Sequence, residues 1–277
     1  MTLTAPPQPP AGPPVSPPAP RRASARVVAI LAIALGAVLI IGTLLTGIFS
    51  AVRAATLRTE TFTADAAGIS ELEIDINAAN LTIEYGDEAT LTVDGAAGDW
   101  RFERDEDALR VTNQRSWWVG WRWGSSDEAV LTLPRSLERV VLDADLTVNG
   151  GALIADGRFG DLDMELSAGS LDVSGTAQEV TVDGSAGRIT LDLADVDSAD
   201  LTLSAGALTG AFTGSTPQSV TADVSAGRIE LTLPDDTYAV DSDVSAGQFR
   251  HTLTVDPASA HRVSVQVSAG AVILSAD

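Results

Sequence analysis

The chain has 277 residues, enough for one or two domains with a sizeable core, and a formal net charge of −21. Every acidic residue lies after Ser50 and every basic residue is arginine, so the part beyond Ser50 carries 14 − 38 = −24. Such a charge repels phosphate backbones and argues against nucleic acid as a partner. The lack of cysteine excludes disulfides, thiolate metal sites and a thiol nucleophile.

Nine prolines fall within the first twenty residues, so residues 1–26 read as a Pro-rich tail with no core of its own. Arg21, Arg22 and Arg26 then precede an uncharged run over residues 27–52. As a helix, the apolar stretch Val27–Phe49 would extend roughly 34 Å, enough to cross a hydrocarbon core. A cleavable signal peptide competes, since Val52-Arg53-Ala54 loosely resembles a cleavage site. The apolar run is about twice the usual signal length and starts late, which favours a single uncleaved transmembrane helix. Three arginines before the span against Arg53 and Arg58 after it place the N-terminus in the cytoplasm. The rest of the chain is then expected outside the cell membrane.

Residues 53–277 form the third region, and a repeat dominates it. Ser-Ala-Gly ends at Gly169, Gly187, Gly206, Gly227, Gly247 and Gly270, in steps of 18, 19, 21, 20 and 23 residues. Degenerate copies stand at Asn149-Gly150-Gly151 and Asn77-Ala78-Ala79. A period near twenty marks a solenoid rather than a closed globule. Two residues beyond each corner stand Leu81, Leu153, Leu171, Ile189, Leu208, Ile229, Phe249 and Val272. Just before each corner stand Ile76, Val148, Leu166, Gly184, Leu203, Val224, Val244 and Val267. Around these columns apolar and polar residues alternate with period two, as in Ile189-Thr190-Leu191-Asp192-Leu193. Each repeat therefore reads as strand, corner, strand, loop, and stacked copies predict two facing parallel sheets. Small corner residues let successive coils approach, and glycine accepts a positive φ. Six equivalent serines without a paired base read as structural, their hydroxyls bonding backbone groups at the bend.

Residues 90–138 interrupt the repeat. Short strand patterns at Leu91–Val93, Trp100–Phe102, Ala108–Val111 and Ala129–Leu133 surround the tryptophan-rich stretch 115–124. They predict antiparallel hairpins that cap the N-terminal end of the solenoid. Extended as a strand, Trp117, Trp121 and Trp123 share a face with Val119, and Trp118 points the other way. These tryptophans either roof the core or offer a contact surface for a sugar or a membrane interface.

These features together resemble the bacterial putative-adhesin family of β-strand-repeat proteins, related to the toast-rack β-solenoid domains. The resemblance covers about residues 60–277. It rests on the strand pair Leu72–Ile76 and Leu81–Tyr85, the Trp/Gly-rich hairpin before Leu131-Thr-Leu-Pro134, and the small-Ala-Gly corners. It implies an all-β solenoid domain of the cell envelope, in some relatives linked to surface stress responses, with no established catalytic residues.

The chemistry-bearing residues fit that expectation. His251 occupies an inward position and reads as a partnered or edge histidine, and neither it nor His261 stands in a catalytic motif. The outward Asp172, Asp183, Asp192, Asp223 and Asp243 could attract calcium, but the chain lacks the Gly-rich nonapeptide of calcium-binding β-rolls and reads as simply acidic. No cofactor, metal or enzymatic activity is expected. The leading expectation is a non-catalytic, membrane-anchored binding or scaffold protein whose partner is an envelope protein or a cell-wall polymer. A regulatory partner of a membrane signalling protein is the alternative, and a carbohydrate-active enzyme a poorer one. The chain ends just after its last corner, so the final strand is expected at the open end of the stack. Ile273 there takes a position that is polar in most copies, which marks it as a contact for self-association through the C-terminal coil.

Overall fold

The computed structural model describes residues 58–95, 97–113 and 127–277. They form strands throughout, with one 3-10 turn at Ala97–Asp99. None of the described helical segments is long and apolar enough to cross a membrane. The proline-rich tail and the apolar run 27–52 lie outside the described residues.

Strands from successive repeats pair in parallel with their equivalents, in two ladders. One ladder holds the segments that precede each corner. It contains β2 (Glu71–Ile76), β8 (Leu142–Val148), the later half of β9 (Gly151–Leu166), β11 (Glu179–Gly184), and the first halves of β13 (Ser198–Thr213) and β14 (Ser219–Leu233). The other holds the segments that follow. It runs from β3 (Ala79–Gly86) through the first half of β9, β10 (Ser170–Thr176) and β12 (Arg188–Ala194) to the later halves of β13 and β14.

The columns legible in the sequence are rungs of these ladders. Leu153, Leu171, Ile189, Leu208 and Ile229 are consecutive partners, as are Val148, Leu166, Gly184, Leu203 and Val224. Their side chains are buried in one hydrophobic cluster between the ladders, and each full aliphatic burial contributes roughly 1.5–3 kcal/mol. At the corners Gly169, Gly187 and Gly206 each pack on the carbonyl of the glycine one layer below. Gly187 has φ +114°, and a Cβ there would strike the Gly169 carbonyl. The corner thus demands glycine twice, for its torsion and for close approach. Ser167 Oγ donates to Asn149 Oδ1 of the neighbouring layer at 3.3 Å, so this hydroxyl ties layers together through a side chain rather than the backbone.

The order of layers departs from the chain order at both ends. After β15 (Thr237–Val244) and β16 (Gln248–His251) the chain turns back. Its last strands, β18 (Arg262–Val267) and β19 (Ala271–Ala276), insert between β14 and the β15–β16 layer. The C-terminal coil is therefore interior, contrary to the expectation of an open final strand. The physical reason is on the inward faces. The last repeat presents Val263, Val265, Val267, Val272 and Leu274, all buried, whereas the β15–β16 layer carries Ser242 and His251 at inward rungs. A polar layer costs least where one side meets water. The 23-residue step between Gly247 and Gly270 supplies the chain for the return.

At the other end, β6 (Ala108–Asn113) and β7 (Asp127–Pro134) pair in parallel outside β2 and β3. That layer too carries inward polar residues, the buried Asn113 and Asp127. The 90–138 region is thus part layer and part hairpin, since β4 (Thr90–Gly95) joins β7, and β5 (Trp100–Asp105) joins β6, in antiparallel fashion. The antiparallel β1 (Arg58–Thr63) closes the outer edge beyond β4.

Candidate interaction surfaces

Trp117, Trp118, Trp121 and Trp123 lie outside the described residues. The residues bracketing that stretch are Asn113 and Asp127. Asn77 Nδ2 donates to the Asn113 carbonyl at 2.7 Å. The remaining tryptophan, Trp100, is buried opposite Asn113 and belongs to the core. The loop of residues 64–70 buries Ala66 and Ile69 there, and Arg104 donates to the Ala67 carbonyl at 2.8 Å and lies 3.7 Å from Asp65. This end is closed. A cleft of about 360 Å³ beside it is lined mainly by small residues, with Asp65 and Glu88 at its rim.

Ile273 lies between Glu230 on one side and Arg250 on the other, half-buried, so the structure places it within a sheet and not on an edge. The edge belongs to β15 and β16. Among the described residues β16 pairs only with β19, and β15 only with β18 apart from the short β17 (Thr254–Val255) beside Thr237 and Tyr238. Val244 is 39% exposed, Val240 and Phe249 are half-buried, and Ser242 and His251 are exposed. His251 keeps its inward rung but no layer covers it, and its ring lies 5.3 Å from that of Phe249. The polar rungs Ser242 and His251 were the available sequence signal for this end.

One corner of the open layer is firmly held. Tyr238 is fully buried and its hydroxyl donates to the Pro234 carbonyl at 2.8 Å. Burial, helped by Asp236 and Asp235, pushes the phenol up to about 12. His261 stands edge-on to that ring, with Nδ1 2.8 Å from the Pro217 carbonyl. Both histidines thus have neighbours that account for them. Asp236 accepts from the Thr237 amide at 2.6 Å and from Thr216 Oγ1 at 2.9 Å, and the first of these bonds leads in lowering its pKa.

The outer face of the pre-corner ladder is a field of carboxylates. Glu73, Asp145 and Asp163 are successive rungs, flanked by Asp143, Glu165 and Asp75. Partial burial first, then Glu73 and Asp163, raises the Asp145 pKa. Arg110 ends this row, 2.6 Å from Glu73 and 3.3 Å from Asp105. Its hydrogen bond to Glu73 is the main reason its own pKa is raised. The post-corner ladder mixes carboxylates (Asp156, Asp172, Asp192, Glu230) with threonines, Ile154 (51% exposed) and scattered arginines. Among the described residues no three His, Asp or Glu side chains are grouped as metal ligands.

No family model and no curated protein matches this chain. Solved structures do. A crystal structure of a putative adhesin from Bacteroides fragilis aligns with 80% of this chain and 97% of its own, at 14% identity and a TM-score of 0.45. A putative cell adhesion protein from Clostridium sporogenes aligns with 80% and 100%, at 11% identity and a TM-score of 0.34. A putative lipid binding protein from Parabacteroides distasonis aligns with 78% and 96%, at 13% identity and a TM-score of 0.31. The described residues are all-β.

Proposed function

We propose that this chain is a two-sheet β-solenoid acting as a non-catalytic binding or scaffold protein of the cell envelope, held at the membrane by residues 27–52. The observation that carries the reading is the layer-by-layer repetition of its outward chemistry. Carboxylates recur at equivalent rungs, whereas a glycoside-cleaving site gathers an acid and a base or nucleophile around one bond. A regular stack offers an extended rigid surface suited to contact rather than turnover. The carboxylate face favours neutral or cationic partners and repels anionic polymers. In-cell photocrosslinking of the full-length protein, from residues on that face, tests the reading. Capture of envelope polymers or structural envelope proteins supports it. Capture of one membrane signalling protein alone favours the regulatory alternative. Protease added to intact spheroplasts should remove the domain after Arg58, and protection of that domain would refute the outward orientation.

A further inference from the structure

We infer that two copies of this chain join end to end through their β15–β16 layers, β15 of one copy running antiparallel to β16 of the other. The inference is independent of what the envelope partner is. β15 and β16 are the outermost strands of their ladders at this end, and their outer backbone groups lack strand partners among the described residues from Ala239 onward. Uncovered strand edges of this kind are templates for pairing. At the opposite end the outermost strands are the antiparallel β1 and β5, which do not belong to one corner, so that end does not offer an equivalent pair of strands.

Charge chooses the pairing. Along β15 the outward residues are Asp241 and Asp243, and along β16 they are Gln248 and Arg250. None of Asp241, Asp243 and Arg250 has an ion-pair partner among the described residues. The two strands leave the same corner in opposite directions. A two-fold axis parallel to them therefore sets β15 against the partner's β16, with the corners at the same end. The proposed register keeps outward residues on the outward face and sets Asp241 opposite the partner's Arg250 and Asp243 opposite the partner's Gln248, so that both aspartates meet a cationic or neutral side chain. The contact occurs twice, as the symmetry requires. Inward, Val244 and Phe249 of both copies come together over the open core. The other two-fold arrangement, β15 against β15, would set Asp241 and Asp243 against their own copies, which like-charge repulsion opposes.

Because the chain has no cysteine, introduced thiols are the only ones present. The full-length protein in detergent carries Asp241→Cys, Arg250→Cys, or both, and is oxidised and run without reductant. The double variant should form a disulfide-linked dimer at least tenfold more than either single variant. A monomeric double variant would overturn the proposal. Crosslinking of Asp241→Cys alone to the same extent would also overturn it, because it would signal β15 against β15 or random collision. Charge exchange gives a second readout that needs no thiol. Asp241→Arg and Arg250→Asp should each weaken dimerisation at least tenfold in sedimentation, and the double exchange should restore it. Dimerisation indifferent to all three variants rejects the pairing.

Discussion

The two ends of the stack solve one problem in different ways. At the N-terminal end, antiparallel β1, β4 and β5 flank the outermost parallel layer, and the 64–70 loop lays Ala66 and Ile69 over the core. Arg104 ties that loop in place. At the C-terminal end nothing comparable among the described residues covers β15 and β16, and the layer instead replaces inward aliphatics with Ser242 and His251. Both outermost layers hold inward polar groups, but Asn113 and Asp127 are buried whereas Ser242 and His251 are exposed. Covering an end requires a dedicated insertion, while softening it requires only a few substitutions. The repeat period is visibly broken by the first device and hardly by the second.

Equivalent substitutions at the two ends should expose this asymmetry most strongly. Leu109, fully buried in the N-terminal outer layer, should lose several kcal/mol on replacement by aspartate, since a carboxylate there is desolvated without a cation. In the monomer, Val244→Asp at the open end should cost about 1 kcal/mol or less, because the new charge reaches water. Denaturant titration of both variants at concentrations where the chain is monomeric checks the pair, and equal losses there would mean that the chain itself covers its C-terminal layer.

Corner glycines give the next contrast. Gly151 has φ +99°, and an added Cβ would enter the Ala79 backbone, so Gly151→Ala should cost about 2–3 kcal/mol. Gly247 also packs on a backbone, that of Gly270, but it lies in the outermost layer, which can shift outward. Gly247→Ala should cost about 1 kcal/mol, read by the same titration.

At high pH the open end should fail first. The Tyr238 phenol, raised to about 12, stabilises the fold fully below its ordinary value near 10. That contribution is lost as pH rises through 12. Tyr238→Phe should flatten stability between pH 10 and 12, and an unchanged profile would contradict the assignment.

The smallest effect is a divergence on acidification. The raised Asp145 favours the folded state below its unfolded pKa and loses that contribution as pH rises through the folded value. The lowered Asp236 does the opposite, contributing above the unfolded value and losing it as pH falls through the folded one. Between pH 6 and 3, hydrogen-exchange protection around β8 should therefore rise relative to that around β15. Parallel changes at both sites would refute the contrast.

How much of this was legible in the sequence depends on what each feature rests on. The aliphatic columns and the corner glycines are local and periodic, and every column member falls on its expected rung. The order of layers is a tertiary choice, and Val272 reads the same whether its neighbour is Phe249 alone or Ile229 as well. Two clues did exist, the 23-residue last step and the polar inward pair Ser242 and His251, but neither has a period to announce it. Ile273 was misplaced for the same reason. The acidic face was visible as aspartates, but its densest row, Glu73–Asp145–Asp163, joins residues from an opening strand and a later repeat that only the ladder register brings together.

The antiparallel N-terminal end has a consequence for growth. A stack of parallel strands with two open ends is a seed, because each added copy presents a fresh edge and fibres follow. Here the two ends differ, with antiparallel strands outermost at one and a parallel layer outermost at the other, so a surface that fits one end does not fit the other. The antiparallel strands and the 64–70 loop held by Arg104 thus make head-to-tail stacking of identical parallel layers a poor fit, which disfavours running on into a filament.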